Sequence, residues 1–488
     1  MIRTLSLLLV GLAWAGSAWA ARPLTFREAL VSAEEANPAL ARSGLDARQA
    51  GASLLSSRGI FDPALDVDGQ WRQSRQEGFF QGFPFKSESR FWTMDSRLRH
   101  TLPTGTSWSV GGGLDRNFSL YLTELEEGID SERVQDAYTA STSISVSQEL
   151  LRGHRLAYNL HHVSRARDQL AIAELDQERM RQDTLAQTAQ AYWSWAYQER
   201  LVDIAAQQEE IAEEALRVGI LRLEAGEVAP VERTRLEAAL VEARSNALDA
   251  DLTANQAADT LLLLMGEAPG QAIEPATGLG EVPELELDVE AVVDVALQQN
   301  LDLAVARANL DIAGAERRYA RHALLPSLSV TASAGRGSQQ PDPSEAITGL
   351  FGPEAFPHIA IGGGLTVPLG NRSARGEAQR TTYAEEAVRL QVEELERGVR
   401  SEVEHQARQV TSAGRRVELA DVQLRLAEET LAAEEALEEA GRAIQRDVLE
   451  ARTRLFTARV EAAKARADYR QAQTELLRLQ GQIDLALP

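Results

Sequence analysis

Between His154 and Ala225 the chain has no proline and a single glycine, Gly219, and helix-forming residues dominate. The run predicts one helix of roughly 70 residues, on the order of 100 Å long. Such a length exceeds any ordinary globular domain, so the helix must find its partners along a rod. The chain then turns and carries a seam at Leu236, Leu240, Ala243, Ala247, Ala250, Ala254, Ala257, Leu261 and Leu264, in steps of four and three. An apolar period of 3.5 residues means that the returning helix winds around a neighbour as a left-handed coiled coil. Alanine at so many seam positions predicts close approach of the helices.

Shifted by 215 residues, the seam reappears as Ala451, Leu455, Ala458, Ala462, Ala465, Tyr469, Ala472, Leu476 and Leu479, with Gly226 falling on Gly441 and Gly266 on Gly481. Nine positions in one phase mark an internal duplication. Earlier in each copy the offset is 263, placing Asn37 on Asn300, Ala50-Gly51-Ala52 on Ala313-Gly314-Ala315, and Pro63 on Pro326. Just after the intervening region it is 217, where Gly153 falls on Gly370, so the first copy holds 46 additional residues.

Residues 1–20 have the layout of a secretory signal peptide: Arg3, an apolar stretch from Leu5 to Trp14, and Ala18-Trp19-Ala20 as the expected cleavage site. No later stretch offers about 18 consecutive apolar residues, so any membrane insertion would be by strands. The chain has no cysteine, which excludes disulfides and thiolate metal sites. Its formal net charge of -23 argues against nucleic acid as a partner. The acidic excess fits solvated faces of long helices, such as Glu209-Glu210 and Glu434-Glu435, and it also fits a conduit that favours cations.

A helix is expected from Thr25 to Gly59, opened by a capping box between Thr25 and Glu28 and broken after Asn37 by Pro38. The period then changes to two: Leu65, Val67, Gly69 and Trp71 alternate with polar residues, as do Trp92 to Leu102, Trp108 to Leu120 (interrupted at Arg116) and Tyr138 to Val146. The second copy supplies Leu328 to Ala334 and Ile359 to Val367. Segments near ten residues long and apolar on one side fit lipid-facing strands, and they fit a soluble sandwich equally. The six strands expected are fewer than the eight of a small closed barrel, and lipid tolerates no open edge, so a membrane barrel would need several chains. The 46 extra residues are expected to form a hairpin around Leu102-Pro103-Thr104-Gly105, a β-turn, and a long acidic loop from Thr123 to Asp136.

The doubled order of helix, strands, long helix, turn and returning helix, with Val146-Ser147-Gln148-Glu149-Leu150-Leu151-Arg152-Gly153 before the first long helix and Gly441 followed by Asp447-Val448-Leu449-Glu450-Ala451, resembles outer-membrane efflux proteins of the TolC family. The resemblance covers 24–481 and implies a mainly α protein with membrane β-strands. In the first repeat, 24–266, strands are expected at about 62–149, the long helix at about 154–222 and the return helix at about 231–265. A linker or equatorial segment follows at 267–286; the second repeat, 287–481, has strands at about 326–369, the long helix at about 371–438 and the return helix at about 446–480.

It further implies a homotrimer whose strands close one barrel in outer-membrane lipid and whose helices form a periplasmic tube, fed by an inner-membrane transporter through a periplasmic adaptor protein. Gly226, Glu227, Val228, Gly441, Arg442 and Ala443 would form the adaptor-contacting tip. Asp447 and Glu450, three apart on one helical face, match acidic residues that ring the family's entrance. The family's gate arginine falls on Ala443 here, with Arg442 and Arg446 flanking it as candidate partners. Bare sequence reads these segments as exposed helix and glycine-ended turns.

No cofactor, metal site or enzymatic constellation is expected. His161 and His162 are adjacent and so face different ways on a helix. Gly111-Gly112-Gly113 and Gly362-Gly363-Gly364 fall inside strand patterns rather than at a phosphate loop. Tyr192, Trp193, Trp195 and Tyr197 are expected to pack rather than bind a ligand. The expected role is a passive exit duct for efflux or type I secretion; the alternative is a periplasmic coiled-coil scaffold or trimeric surface adhesin, which would need neither the strands nor the folded-back hairpins.

Overall fold

The computed structural model describes residues 21–483 apart from 81–82, 126–128, 227, 281, 283–286, 441 and 443–444, so the expected export signal lies outside the described residues. The first repeat contains β1 (Arg22–Leu24), α1 (Phe26–Ala36), α2 (Pro38–Arg58), β2 (Ala64–Phe80), β3 (Phe83–Thr101), β4 (Thr106–Leu125), β5 (Ile129–Glu149), α3 (Leu156–Asn159), α4 (His161–Glu224) and α5 (Pro230–Leu264). After β6 (Ile273–Pro275), the second contains α6 (Val289–Gln299), α7 (Leu301–His322), β7 (Ser327–Gln340), α8 (Pro343–Gly349), β8 (Phe356–Thr366), α9 (Arg372–Glu439) and α10 (Gln445–Leu479). The chain divides into a helical unit (Met1–Asp46, Glu174–Val305, Glu393–Pro488) and a sheet-bearing unit (Ala47–Ala173, Ala306–Val392).

In the helical unit the duplication is visible atom by atom. Helix α1 opens with the expected capping box: Glu28 N–H donates to Thr25 Oγ1 (3.2 Å), and Thr25 N–H donates to Glu28 Oε2 (2.9 Å). Pro38 cannot donate to the preceding turn, so the chain breaks at Asn37. Asn37 bridges the break, its Nδ2 donating to Leu264 O at the end of α5 (2.8 Å) while its Oδ1 accepts from Ala39 N–H (2.8 Å). Asn300 repeats the bridge: its Nδ2 donates to Leu479 O (3.3 Å), and its Oδ1 accepts from Leu303 N–H (3.1 Å), the counterpart of Leu40 N–H, from which Asn37 Oδ1 also accepts (3.4 Å). Beside each joint lies a left-handed glycine: Gly266 (φ 74°), where a Cβ would stand 2.4 Å from Ala36 O, and Gly481 (φ 66°), where it would stand 3.0 Å from Gln299 O.

The seam positions are buried or half-buried, with Ala247, Ala250, Ala257 and Leu264 on α5 and Ala458, Ala465 and Ala472 on α10 only half-covered. Leu236, Leu240, Ala243, Ala254 and Leu261 on α5, and Ala451, Leu455, Ala462, Leu476 and Leu479 on α10, have less than a tenth of their surface exposed. The aromatic group of α4 is core: Tyr192, Trp193 and Trp195 are buried with Phe26, Leu261, Leu262 and Met265. Phe26 stacks on Trp193 at 4.6 Å. Tyr192 Oη donates to Leu24 O (2.9 Å) and accepts from Thr277 N–H (3.1 Å), so the segment between repeats is fastened to the first long helix. That segment is not a plain linker, because β6 pairs in parallel with β1.

In the other unit all six long strands form one antiparallel sheet in the order β2-β3-β4-β5-β7-β8. Its register sorts the side chains. One face carries Leu65, Leu98, Val110, Ile144, Ala334 and Ile359 in a single row across the six strands. A second row crosses Trp71, Trp92, Arg116, Tyr138 and Gln340. Arg116, which interrupts the alternation, belongs to this row: it lies over the Tyr138 ring at 5.3 Å and pairs with Asp136 through two hydrogen bonds of 2.9 and 2.7 Å. The opposite face is polar, with serines, glycines and the Asp66–Arg99 ion pair (2.8 Å).

Four expectations need correction. The strands of the first repeat run 17 to 21 residues rather than near ten. The acidic stretch Thr123–Asp136 is not a long loop: β4 extends to Leu125 and β5 begins at Ile129, so most of it is hydrogen-bonded ribbon. The first long helix begins at His161, after the separate turn α3, rather than at 154. Helix α8 was not foreseen; Ala346 and Leu350 bury themselves against Ala140 on the apolar face of the sheet. The Leu102–Gly105 turn is as expected, closed by Gly105 N–H donating to Leu102 O (3.1 Å) with Gly105 at φ 77°.

Candidate gate and helix-turn tip

The two helical hairpins end differently. Helix α4 closes with Gly226 in the left-handed region (φ 77°), its N–H donating to Leu223 O (3.0 Å). Ala229 then caps α5 and Pro230 occupies its first turn, where a missing N–H costs nothing. Val228 is half-buried in this turn. Of the other expected tip residues, Glu227, Gly441 and Ala443 lie outside the described residues. Arg442 is exposed, and its N–H donates to Leu437 O (2.8 Å), capping α9.

Asp447 lies in the first turn of α10, and Glu450 follows one turn later. Between and beyond them Val448 and Ala451 are buried, so the helix presses its apolar seam inward and holds both carboxylates toward water. Each carboxylate has its own arginine. Arg446 reaches Asp447 Oδ1 at 3.2 Å, and Arg454 reaches Glu450 Oε1 at 2.7 Å. Both pairs are largely exposed, a setting in which an ion pair contributes about 0–1 kcal/mol. They set local charge more than they hold the fold.

Arg454 is not among the sequence candidates, although its i, i+4 spacing from Glu450 is legible in the sequence. Two further pairs needed the structure. Arg222 at the end of α4 bonds Glu438 at the end of α9 (3.0 Å), and Arg452 on α10 bonds Glu435 on α9 (3.0 Å). The first joins the two hairpins near their tips, between residues more than 200 positions apart, and the second ties the two arms of the second hairpin to each other.

Elsewhere in the helical unit a cleft of about 440 Å³ opens between α4, α10 and β6. Its lining sets Glu199, Asp203 and Glu274 against Arg200, Arg459 and Arg466, a mixture without convergent chemistry. Burial pushes the Glu199 carboxyl up, opposed by the hydrogen bond from Trp195 Nε1.

In the sheet-bearing unit His161 stacks on Tyr319 (4.1 Å), which stacks on Tyr158 (4.6 Å), with His322 against Tyr158 (4.8 Å). Burial pushes the Tyr158 phenol up to about 12 and depresses His161, with His162 and Arg165 lowering it further and Glu316 opposing. Among the described residues no group of three His, Asp or Glu side chains is arranged to hold a metal ion.

The family model for outer membrane efflux protein matches residues 117–267 and 292–482, one stretch in each repeat. The chain belongs to that family. Across 434 residues it is 24% identical to the alkaline protease secretion protein AprF of Pseudomonas aeruginosa, covering 87% of this chain and 84% of AprF. Solved outer-membrane channels share its fold. The CmeC channel of Campylobacter jejuni superposes with a TM-score of 0.66 at 15% identity, covering 94% of this chain and 86% of CmeC. The open-state MtrE channel of Neisseria gonorrhoeae gives 0.65 at 18% identity, covering 94% and 89%. CusC gives 0.67 at 16% identity, covering 96% and 95%.

Proposed function

We propose that this chain is the outer-membrane exit duct of a tripartite efflux or type I secretion system, built as a homotrimer and joined to an inner-membrane transporter by a periplasmic adaptor protein. It conducts passively and is not an enzyme. Membership of the outer membrane efflux protein family carries the reading, and the six-stranded sheet supports it physically. That sheet exposes Leu65, Val67, Trp71, Met94, Ile359 and Ile361 and leaves its edges β2 and β8 unpaired. Lipid accommodates such a face, and no lipid-embedded sheet keeps open edges. Further copies of the chain close it.

In this reading the tip around Gly226, Glu227, Val228, Gly441, Arg442 and Ala443 meets the adaptor, and Asp447 and Glu450 of three copies ring the periplasmic entrance. Three copies bring six carboxylates and the arginines that partner them to one constriction, where cations are attracted. Arg446 and Arg454 compensate these charges within each chain, and Arg442 remains the arginine nearest the tip. Replacing Asp447 and Glu450 with Ala raises leak conductance and weakens block by multivalent cations in planar bilayers. Unchanged conductance and block would remove the gate assignment.

A further inference from the structure

We propose that three copies of this chain close one barrel of eighteen strands, six from each, because the hairpin present only in the first repeat lies inside the membrane wall rather than outside it. The proposal rests on the trimeric outer-membrane reading and adds the strand count, and therefore the bore, of the outer-membrane segment.

The duplication sets the comparison. The second repeat contributes one hairpin, β7 and β8, and the first contributes two. The offsets of the two repeats leave 46 residues unmatched, the length of the segment 83–128 that makes up β3, β4 and their connections. Removing it would join β2 directly to β5, giving each repeat one hairpin and a trimer twelve strands. The extra pair is not appended at an edge, where it could fold away from the membrane. It is inserted between β2 and β5, bonded on one side along β2 from Ala64 to Phe80 and on the other along β5 from Ile129 to Gln148. A sheet that is in lipid on both flanks of an insertion has no open edges there only if the insertion is in lipid too.

The side chains agree. On the apolar face the inserted strands carry Leu98, Met94 and Trp92 on β3, in register with Leu65, Gly69 and Trp71 on β2, and Trp108 and Val110 on β4, in register with Val146 and Ile144 on β5. The row of Trp71, Trp92 and Tyr138 runs through the insertion, with Arg116 on β4 laid over the Tyr138 ring, and aromatic side chains at one level are what an interfacial girdle requires. The upper limit of the apolar face also runs through it. The first charged residues beyond the belt are Arg336 on β7, Asp136 on β5, Arg116 on β4, Arg90 on β3 and Arg75 on β2. In register Arg336 lies level with Val67, eight residues short of Arg75, so this limit climbs from β7 to β2. Strands tilted by about 35–45° to the membrane normal produce such a slope.

Orientation permits closure. The strands alternate in direction from β2 to β8, so β8 of one copy meets β2 of the next antiparallel. All eleven residues of β8 are exposed, as expected of an edge awaiting its partner. Since barrel diameter grows about linearly with strand number, eighteen strands give roughly 1.5 times the diameter of twelve.

The absence of cysteine makes the test clean. Single variants Leu98→Cys and Val110→Cys report the apolar face of the inserted strands, and Ser109→Cys reports the polar face. The protein, purified in detergent and returned to liposomes, is treated with a water-soluble maleimide. A second preparation carries Asp68→Cys and Ala360→Cys, on the polar faces of β2 and β8, and is treated with a short bis-maleimide. Within one chain these residues are five strand spacings apart, on the order of 24 Å, beyond the reagent's reach. The proposal expects crosslinked trimer, labelling at Ser109→Cys, and at least tenfold slower labelling at Leu98→Cys and Val110→Cys. Crosslinked trimer with all three sites labelled at similar rates would place the hairpin in water and overturn the eighteen-strand barrel while leaving the trimer. Absence of crosslinked trimer would overturn the trimeric reading, and the strand count with it.

Discussion

Asn37 and Asn300 make a quantitative prediction, because the same side chain does the same work in two copies of one joint. Replacing Asn37 with Ala removes the acceptor of Ala39 N–H and the donor to Leu264 O, both at 2.8 Å. Loss of a helix cap costs about 1 kcal/mol. Leu264 O lies at a helix end with no successor in the ladder, and because this carbonyl is part-buried, orphaning it costs the lower part of the range for a buried one, about 1–2 kcal/mol. The sum is roughly 2–3 kcal/mol, a factor of about 30 to 150 in the local opening equilibrium. Asn300→Ala breaks the corresponding contacts at 3.3 and 3.1 Å, so its cost falls at or below the lower end of that range. Native-state hydrogen exchange of the purified protein reads both effects at the first turns of α2 and α7. The two asparagines share no partner, so the double variant adds. A large effect at one asparagine and none at the other would refute the claim that the two joints are physical equivalents.

Other predictions follow from the same geometry. Arg454→Ala leaves Glu450 uncompensated and strengthens cation block, opposite in sign to Glu450→Ala, as single-channel recordings would resolve; effects of the same sign would contradict the pairing. Gly226→Ala costs about 1–2 kcal/mol from its left-handed φ alone, since nothing lies within 4 Å of the added carbon. Gly266→Ala adds a collision with Ala36 O to the same strain, and must therefore lower thermal stability more than Gly226→Ala. His161 and His322 are depressed below the ordinary 6.5 by burial, with His162 and Arg165 adding to it at the first and Arg155 and His154 at the second. In the window from 6.5 down to their folded values the unfolded chain binds more protons, so stability contributed here is full above 6.5 and declines on acidification. Thermal unfolding between pH 7.5 and 5 should show this loss, and His161→Gln should reduce it; a stability that rose on acidification through this window, or was unchanged by the substitution, would contradict the burial.

Periodicity carried the fold where a single physical rule governs it. The 3.5-residue seams, the Thr25–Glu28 cap and the break at Pro38 depend on local sequence and were legible. Strand length was not, because beyond Trp71 the same face carries Gln73, Arg75 and Glu77, and a strand rising past the apolar belt loses its hydrophobic signature. The acidic ribbon near 123–136 reads as a loop in the sequence for that reason. The pairing of β1 with β6 and the seat of α8 are tertiary and leave no local period. At the candidate gate Asp447 and Glu450 could be picked out, and Arg454 could have been found by spacing. Arg222–Glu438 could not, since it depends on how two distant hairpins dock.

An exit duct of this kind requires a sheet that one chain cannot close alone and an assembled form that conducts. The direct measurement is ion conductance of the purified protein across a planar lipid bilayer, with the cation-to-anion permeability ratio taken from reversal potentials. Stable unit conductances with cation preference, appearing only with detergent-extracted oligomer, are the predicted result. A detergent-free monomer that adds no conductance would contradict it.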